Sequence, residues 1–253
     1  MIDYLDVLRR ETERFGACIR RGAFSSLVPT CPGWTLSDLA WHLIEVEHTW
    51  GSIAGDLLED RSAVDELERP GDGGLLELFG DRSRHLRDAL GRHPVDARCW
   101  SWHDDGWTIG WVRRRQAHEA LIHRVDAEIT VGDRSTVDET VAADGVDEVL
   151  TVFVGDTVPT WATFTPDGTG ATVVVDGGSR YGLHFGRFTG TGPDSGTDHD
   201  FETMTLGSPI GAEIRGSASA LDLWLWGRGR DGVQTADPAV LARVRAVMAD
   251  ATE

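Results

Sequence analysis

Through the first half of the chain apolar residues recur every three or four positions, the period of helices that bury one face. From Asp3 to Arg21 the residues Leu5, Leu8, Phe15 and Ile19 follow this spacing, which predicts a first helix. A loop with Pro29, Pro32 and Gly33 comes next. Thr35, with Asp38 three residues on, then has the form of a capping box before Leu36, Leu39, Leu43 and Val46, so a second helix is expected over Leu36 to Ile53. Pro70, Gly71, Gly73 and Gly74 break the pattern again, and Leu75 to Leu90 reads as a third helix. After a loop carrying Trp100, Trp102 and Trp107, Thr108 is a cap for a fourth, running to Ile129. A fifth is expected over Val137 to Val154, despite Gly145, as a bridge between the two halves.

Beyond it the pattern changes to short β-rich runs. Ala171 to Val175 and Tyr181 to Phe188 flank Asp176-Gly177-Gly178, a hairpin signal, and Phe201 to Leu206 and Ala212 to Arg215 read as further strands. Gly190 to Asp200, rich in Gly, Asp, Ser and Thr, reads as a loop. Ser217 opens a short apolar helix through Trp226, and Pro238 begins a last one through Met248. No internal repeat is visible. The expected architecture is an N-terminal all-α four-helix bundle over residues 1–155 and a smaller C-terminal α+β domain over residues 156–253.

Charge narrows the partners. Acidic residues outnumber basic ones 42 to 24, a formal charge of −18, which disfavours nucleic acid and anionic lipid. Every basic residue is arginine, so Schiff-base and P-loop chemistries, which need a lysine amine, are excluded. No stretch approaches the roughly 18 apolar residues of a spanning helix. Met1 leads directly into Asp3 and Asp6 rather than a basic and then apolar leader. Cys18, Cys31 and Cys99 form no C-x-x-C pair, which speaks against a disulfide framework and fits a reducing compartment. A cytoplasmic protein without membrane or nucleic-acid partners is expected.

One tract carries metal-ligand chemistry. In Ala117-His118-Glu119-Ala120-Leu121-Ile122-His123 the two histidines are five apart, roughly 140° around a helix. Glu119 and His123, one turn apart, share a face and can bind one divalent ion. A bundle then needs a third ligand from a facing helix, and His42, amid Leu39, Leu43 and Val46, is the best supplier, with His48, His103 and His118 as competitors. The bland alternative is a core histidine at His42 and an intrahelical pair at Glu119 and His123. Two imidazoles and a carboxylate would leave a tetrahedral ion one open position, the catalytic rather than the structural arrangement. That position suits an activated water or an external thiolate, and spacing does not choose between them.

Three stretches resemble the mycothiol-dependent maleylpyruvate isomerase family: Val28-Pro29-Thr30-Cys31-Pro32-Gly33-Trp34-Thr35-Leu36-Ser37-Asp38-Leu39 with Trp41-His42-Leu43; Ala117-His118-Glu119 with His123-Arg124-Val125-Asp126-Ala127-Glu128; and Gly216-Ser217-Ala218-Ser219-Ala220-Leu221 with Leu223-Trp224-Leu225-Trp226-Gly227-Arg228. The resemblance implies a DinB-like helical bundle whose divalent metal, usually zinc, is held at His42, Glu119 and His123. It also implies a C-terminal domain similar to sterol carrier proteins, in which Arg228 or Arg215 binds an acidic substrate. Mycothiol is the implied thiol cosubstrate; its thiolate would add to a cis double bond, permit rotation and leave. The partners expected are thus a small electrophile, maleylpyruvate-like, and a low-molecular-weight thiol. The rival functions are a metal-dependent hydrolase of a thiol conjugate or amide, and a non-catalytic metal or ligand sensor.

Other residues read more blandly. Arg113, Arg114 and Arg115 suggest a solvated helix face or, less simply, an anion contact. Trp34, Trp41, Trp50, Trp224 and Trp226 suit packing, with Trp102 or Trp107 available to line a mouth. Cys31 reads as a small buried hydrophobe. Asp126 and Glu128 either orient the ligands or cap the helix end.

Overall fold

A computed structural model describes residues 1–103, 106–155, 158–193 and 195–252, with side chains through residue 249. Residue 156, where the second domain was expected to start, lies outside the described residues, as do Asp104 and Asp105 of the tryptophan-rich loop and Asp194 of the expected Gly190 to Asp200 loop. The chain divides into two compact units, Met1–Thr136 and Val137–Glu253.

The first unit is a bundle of four helices: α1 (Tyr4–Arg21), α2 (Leu36–Asp56), α3 (Asp72–Arg92) and α4 (Ile109–Val131). Their starts follow the local chemistry of the sequence. Asp3 caps α1 by accepting from Asp6 N. Thr35 and Asp38 form the reciprocal box at α2, and Thr108 accepts from Trp111 N at α4. Helix α2 packs on α3, and α1 packs on α4. Phe15, Ile19, Leu36, Leu39, Leu43, Leu75 and Phe79 make the core, with the Phe15 and Phe79 rings 5.0 Å apart. At Gly51 a Cβ would lie 2.7 Å from the His85 ring, so the approach of α2 to α3 depends on the missing side chain.

Helix α4 is enclosed on almost every side, and Arg115, Gln116, His118, Arg124, Asp126 and Glu128 are all buried within it. Buried charges require partners. Arg124 donates to Glu11 at 2.6 Å and Glu128 at 2.9 Å, joining α4 to α1. The segment between α1 and α2 is held by Val28 N donating to Trp34 O and by Leu36 N donating to Ser26 O.

The second unit begins with α5 (Glu139–Val149), which continues as a π-helical turn over Leu150–Val154. Five strands follow: β1 (Ala162–Val175), β2 (Arg180–Thr191), β3 (Asp198–Gly207), β4 (Ala212–Gly216) and β5 (Gln234–Thr235), in sheet order β3-β2-β1-β4-β5. The pairs are antiparallel except β1 with β4. Helix α6 (Ala218–Leu225) lies between β4 and β5 in sequence, and α7 (Pro238–Thr252) ends the chain. The unit is α+β, as expected.

Two boundaries differ from the sequence reading. The units divide before α5 rather than at residue 155. Helix α5 packs on α6, so closely that a Cβ on Gly145 would meet the Asp222 carboxylate at 2.7 Å. The expected loop over Gly190 to Asp200 is also shorter. The β2–β3 register runs as far as Thr191 opposite Asp198, because alternate polar side chains on these strands face solvent without breaking the backbone ladder.

Candidate metal centre

Helices α2 and α4 bring His42, Glu119 and His123 together, with one donor atom from each lying within 4.8 Å of the others. Glu119 Oε1 is 3.3 Å from His42 Nε2 and 3.2 Å from His123 Nε2. An ion about 2.0–2.2 Å from each donor in tetrahedral geometry would separate its ligands by about 3.3–3.6 Å. The donor set therefore fits a zinc-sized ion in chemistry, and the separations of Glu119 from both histidines fit it in spacing. The His42 and His123 rings meet edge to face at 4.8 Å, and Trp34 packs against His42 at 5.1 Å.

The other charges here are paired and buried. Arg115 donates from Nη2 to Glu119 Oε2 at 2.5 Å. His123 Nδ1 lies 3.0 Å from Asp126 Oδ2, and Asp126 also accepts from Thr30 Oγ1 at 2.6 Å and from Cys31 Sγ at 3.6 Å. Burial opposes the charged form of Glu119, yet the His123 and Arg115 charges hold it well below the usual carboxylate range. Burial likewise opposes the charged imidazole of His123, but Glu119 and Asp126 push it up to about 9. Without an ion, the protonated ring of His123 bridges the two carboxylates, donating from Nδ1 to Asp126 and from Nε2 to Glu119.

His42 is not the enclosed histidine that its apolar neighbours suggested. Its side chain is 34% exposed, against 17% for Glu119 and 12% for His123, and it lines a cleft of about 1050 Å³. Trp50, Trp100 and Trp102 form part of the cleft wall; Glu45, Asp65, Glu66 and Arg61 supply its charge. The tryptophan expectation is thus met in part at Trp102, while Trp50 and Trp34 serve the cleft and His42 as well as packing.

The competing histidines lie elsewhere. His48 also lines the cleft, but its Nε2 is 2.9 Å from Asp65 O. His103 stacks on Trp111, and His118 is buried beside Tyr4 of α1. The arginine run is not a solvated face: Arg113 donates to Leu90 O and His93 O, closing the end of α3, and Arg115 holds Glu119. Cys31 is partly exposed and bonded to Asp126 rather than a plain buried hydrophobe. Of the two acidic candidates, Asp126 touches a site histidine, whereas Glu128 ties the end of α4 to Ser135. Helical spacing carried the signal for Arg115, one turn before Glu119, and for Asp126, three residues after His123. Nothing local marked Thr30.

Both candidate arginines lie in the second unit. Arg215 on β4 is paired with Glu213 at 2.7 Å, and Glu213 also binds Arg180. Arg228 follows α6 and donates to Trp226 O, while Arg245 donates to Leu225 O. Burial, followed by the charge of Arg228, lowers the Arg245 guanidinium.

Residues 5–128 match the mycothiol maleylpyruvate isomerase N-terminal domain, and residues 140–246 match the C-terminal domain of the same family. The chain belongs to this family. A crystal structure of the mycothiol-dependent maleylpyruvate isomerase has the same fold at 17% identity, with 92% of each chain covered and a TM-score of 0.58. A variant of that enzyme with one histidine replaced by alanine matches at 16% identity and a TM-score of 0.55, again over 92% of each chain. No curated protein matches the chain significantly in sequence. Among the described residues, no helix of this maleylpyruvate isomerase-family protein is long and apolar enough to cross a membrane.

Proposed function

We propose that this maleylpyruvate isomerase-family protein is a metal-dependent enzyme that uses mycothiol to isomerise, or transfer sulfur to, a small electrophile such as a maleylpyruvate-like acid. The observation that carries the reading is the convergence of His42, Glu119 and His123 on one point at the edge of an open cleft. A closed structural site would need a fourth protein ligand, and no other described His, Cys, Asp or Glu joins this group. A divalent ion held there would supply the Lewis acidity that makes a thiolate available at neutral pH.

The chain's own residues then position and select. His42 presents the site to the cleft, while Glu119 and His123 sit deeper, where water is restricted. The tryptophan wall offers apolar faces to an entering thiol. In the isomerisation the thiolate sulfur adds to one carbon of the cis double bond, whose electron pair moves into an enolate, the resulting carbon–carbon single bond rotates, and return of the pair breaks the same carbon–sulfur bond to leave the trans isomer and the thiolate. Atoms and oxidation state are unchanged overall. Charge must be held on the substrate while the double bond is interrupted, and a guanidinium can hold a carboxylate through two parallel hydrogen bonds. Arg228 and Arg215 are the two candidates for that part, and substitution of each distinguishes them.

The test is metal content by mass spectrometry on full-length protein purified without tag or chelator, compared with Glu119→Ala, followed by thiol-dependent assays. Close to one divalent ion per chain, lost in the variant, with cis–trans conversion only when mycothiol is supplied, supports the reading. No ion in either protein after zinc is supplied refutes the metal site. Metal-dependent cleavage of a thiol conjugate or amide without isomerisation would make the protein a hydrolase.

A further inference from the structure

Two buried groups frame the three candidate ligands without being donors themselves. The Asp126 side chain is completely buried and accepts from Thr30 Oγ1 and Cys31 Sγ as well as facing His123 Nδ1. An ionised carboxylate only accepts hydrogen bonds, so the hydrogen between it and His123 must sit on Nδ1. In the neutral ring this leaves the Nε2 lone pair directed toward Glu119 Oε1, 3.2 Å away. Arg115, with its side chain 5% exposed, does the equivalent for Glu119. Its Nη2 takes Oε2, so that Oε1 alone faces the two imidazoles.

We propose that Asp126 and Arg115 are the positioning residues of this centre: Asp126 fixes the ring and tautomer of His123, and Arg115 restricts Glu119 to a single donor oxygen. The inference rests on the metal-site reading above. It assigns the loop before α2 a part in the centre, because Thr30 anchors Asp126 from that loop. Outer partners of metal-bound histidines typically change affinity by about 10- to 100-fold when removed, since the ligand must otherwise be ordered at the moment of binding.

The experiment measures zinc affinity of metal-free, full-length protein by competition with a chromophoric chelator, for wild type, Asp126→Asn, Arg115→Gln and Thr30→Val. Asp126→Asn and Arg115→Gln should each weaken zinc binding by about 10- to 100-fold, and Thr30→Val by about threefold or more in the same direction. X-ray absorption at the zinc edge should show a second carboxylate oxygen in Arg115→Gln that wild type lacks. A merely structural role would lower the melting temperature of the metal-free variants while leaving the affinity of the folded protein unchanged. Variants that fold and bind zinc as wild type does would overturn the proposal. Should Asp126→Asn fail to fold, Thr30→Val carries the test, because it deletes only one hydroxyl at the rim of the site; an unchanged affinity there is equally fatal. Failure of the underlying reading looks different. In that case wild type binds no zinc, or keeps it after Glu119→Ala.

Discussion

His123 carries a proton that any ion bound through its Nε2 must displace, which makes zinc affinity a function of pH with a definite sign. Burial works against the charged ring, but Glu119 and Asp126 outweigh it and push the imidazole up to about 9. Below that value proton and metal compete for the same nitrogen; above it the nitrogen is free. The apparent association constant should therefore rise about tenfold per pH unit from neutrality and flatten above about pH 9. From pH 7 to pH 9 the change is about 50-fold, or ~2.3 kcal/mol, and about 100-fold on reaching the plateau. The assay is chelator competition at half-unit intervals, corrected for the chelator's own protonation. Calorimetry in two buffers of different ionisation enthalpy would count the protons released, about one per ion at pH 7.5. An affinity that is flat over this window, with no proton release, would refute the coupling and with it the assignment of His123 as a ligand through Nε2.

Three further predictions concern other residues. Glu47 is fully enclosed on α2, and burial raises its carboxyl from 4.5 to about 8 against the hydrogen bond from Ser83. Its folded value lies above its unfolded one, so stability is full below about pH 4.5 and falls as pH rises through 8. The loss is on the order of 5 kcal/mol at most, and urea denaturation of Glu47→Gln between pH 5 and 8 should lack that slope. Arg124→Met leaves Glu11 and Glu128 buried without their guanidinium and should cost about 3–5 kcal/mol in thermal or urea unfolding. By comparison Arg9→Ala, at an exposed pair screened by solvent, should unfold close to wild type. In steady-state kinetics one of Arg228→Ala and Arg215→Ala should raise KM for the acidic substrate by about tenfold or more, as loss of a charged hydrogen bond does. An unchanged KM in both variants would remove both arginines from that part.

Much of the fold was legible because its signals are local. Thr35 with Asp38, Thr108 and Ser217 each satisfy an exposed helix-end N–H and mark a start from sequence alone. What was not legible depended on partners distant in sequence. The periodicity of α5 shows that one face is buried, not that Asp222 of α6 is what it meets. The long β2–β3 hairpin hid behind polar residues, since composition reports the solvent face and not the ladder. At the site, Glu119 and His123 were readable from their spacing, whereas Asp126 gained its meaning from Thr30, 96 positions away. His42 was named a candidate from its apolar neighbours on α2, whereas its environment is a cleft edge rather than a core.

The charges around the centre would favour an anionic ligand on a divalent ion bound there. Without an ion, protonated His123 and Arg115 balance Glu119 and Asp126, two positive charges against two negative ones. A buried cluster of this kind is tolerable only when so balanced. Exchange of the His123 proton for a divalent cation leaves one excess positive charge, and a bound anion returns the sum to zero. Thiolate and hydroxide satisfy that account equally, so the electrostatics alone admit both the transferase and the hydrolase. The cleft beside His42, with its tryptophan wall and about 1050 Å³ of space, has room for a bulky thiol or for a thiol conjugate, so thiol dependence in the assay is what separates them. Among the described residues lining it, three carboxylates stand against one arginine, which disfavours a dianionic acid within the cleft itself.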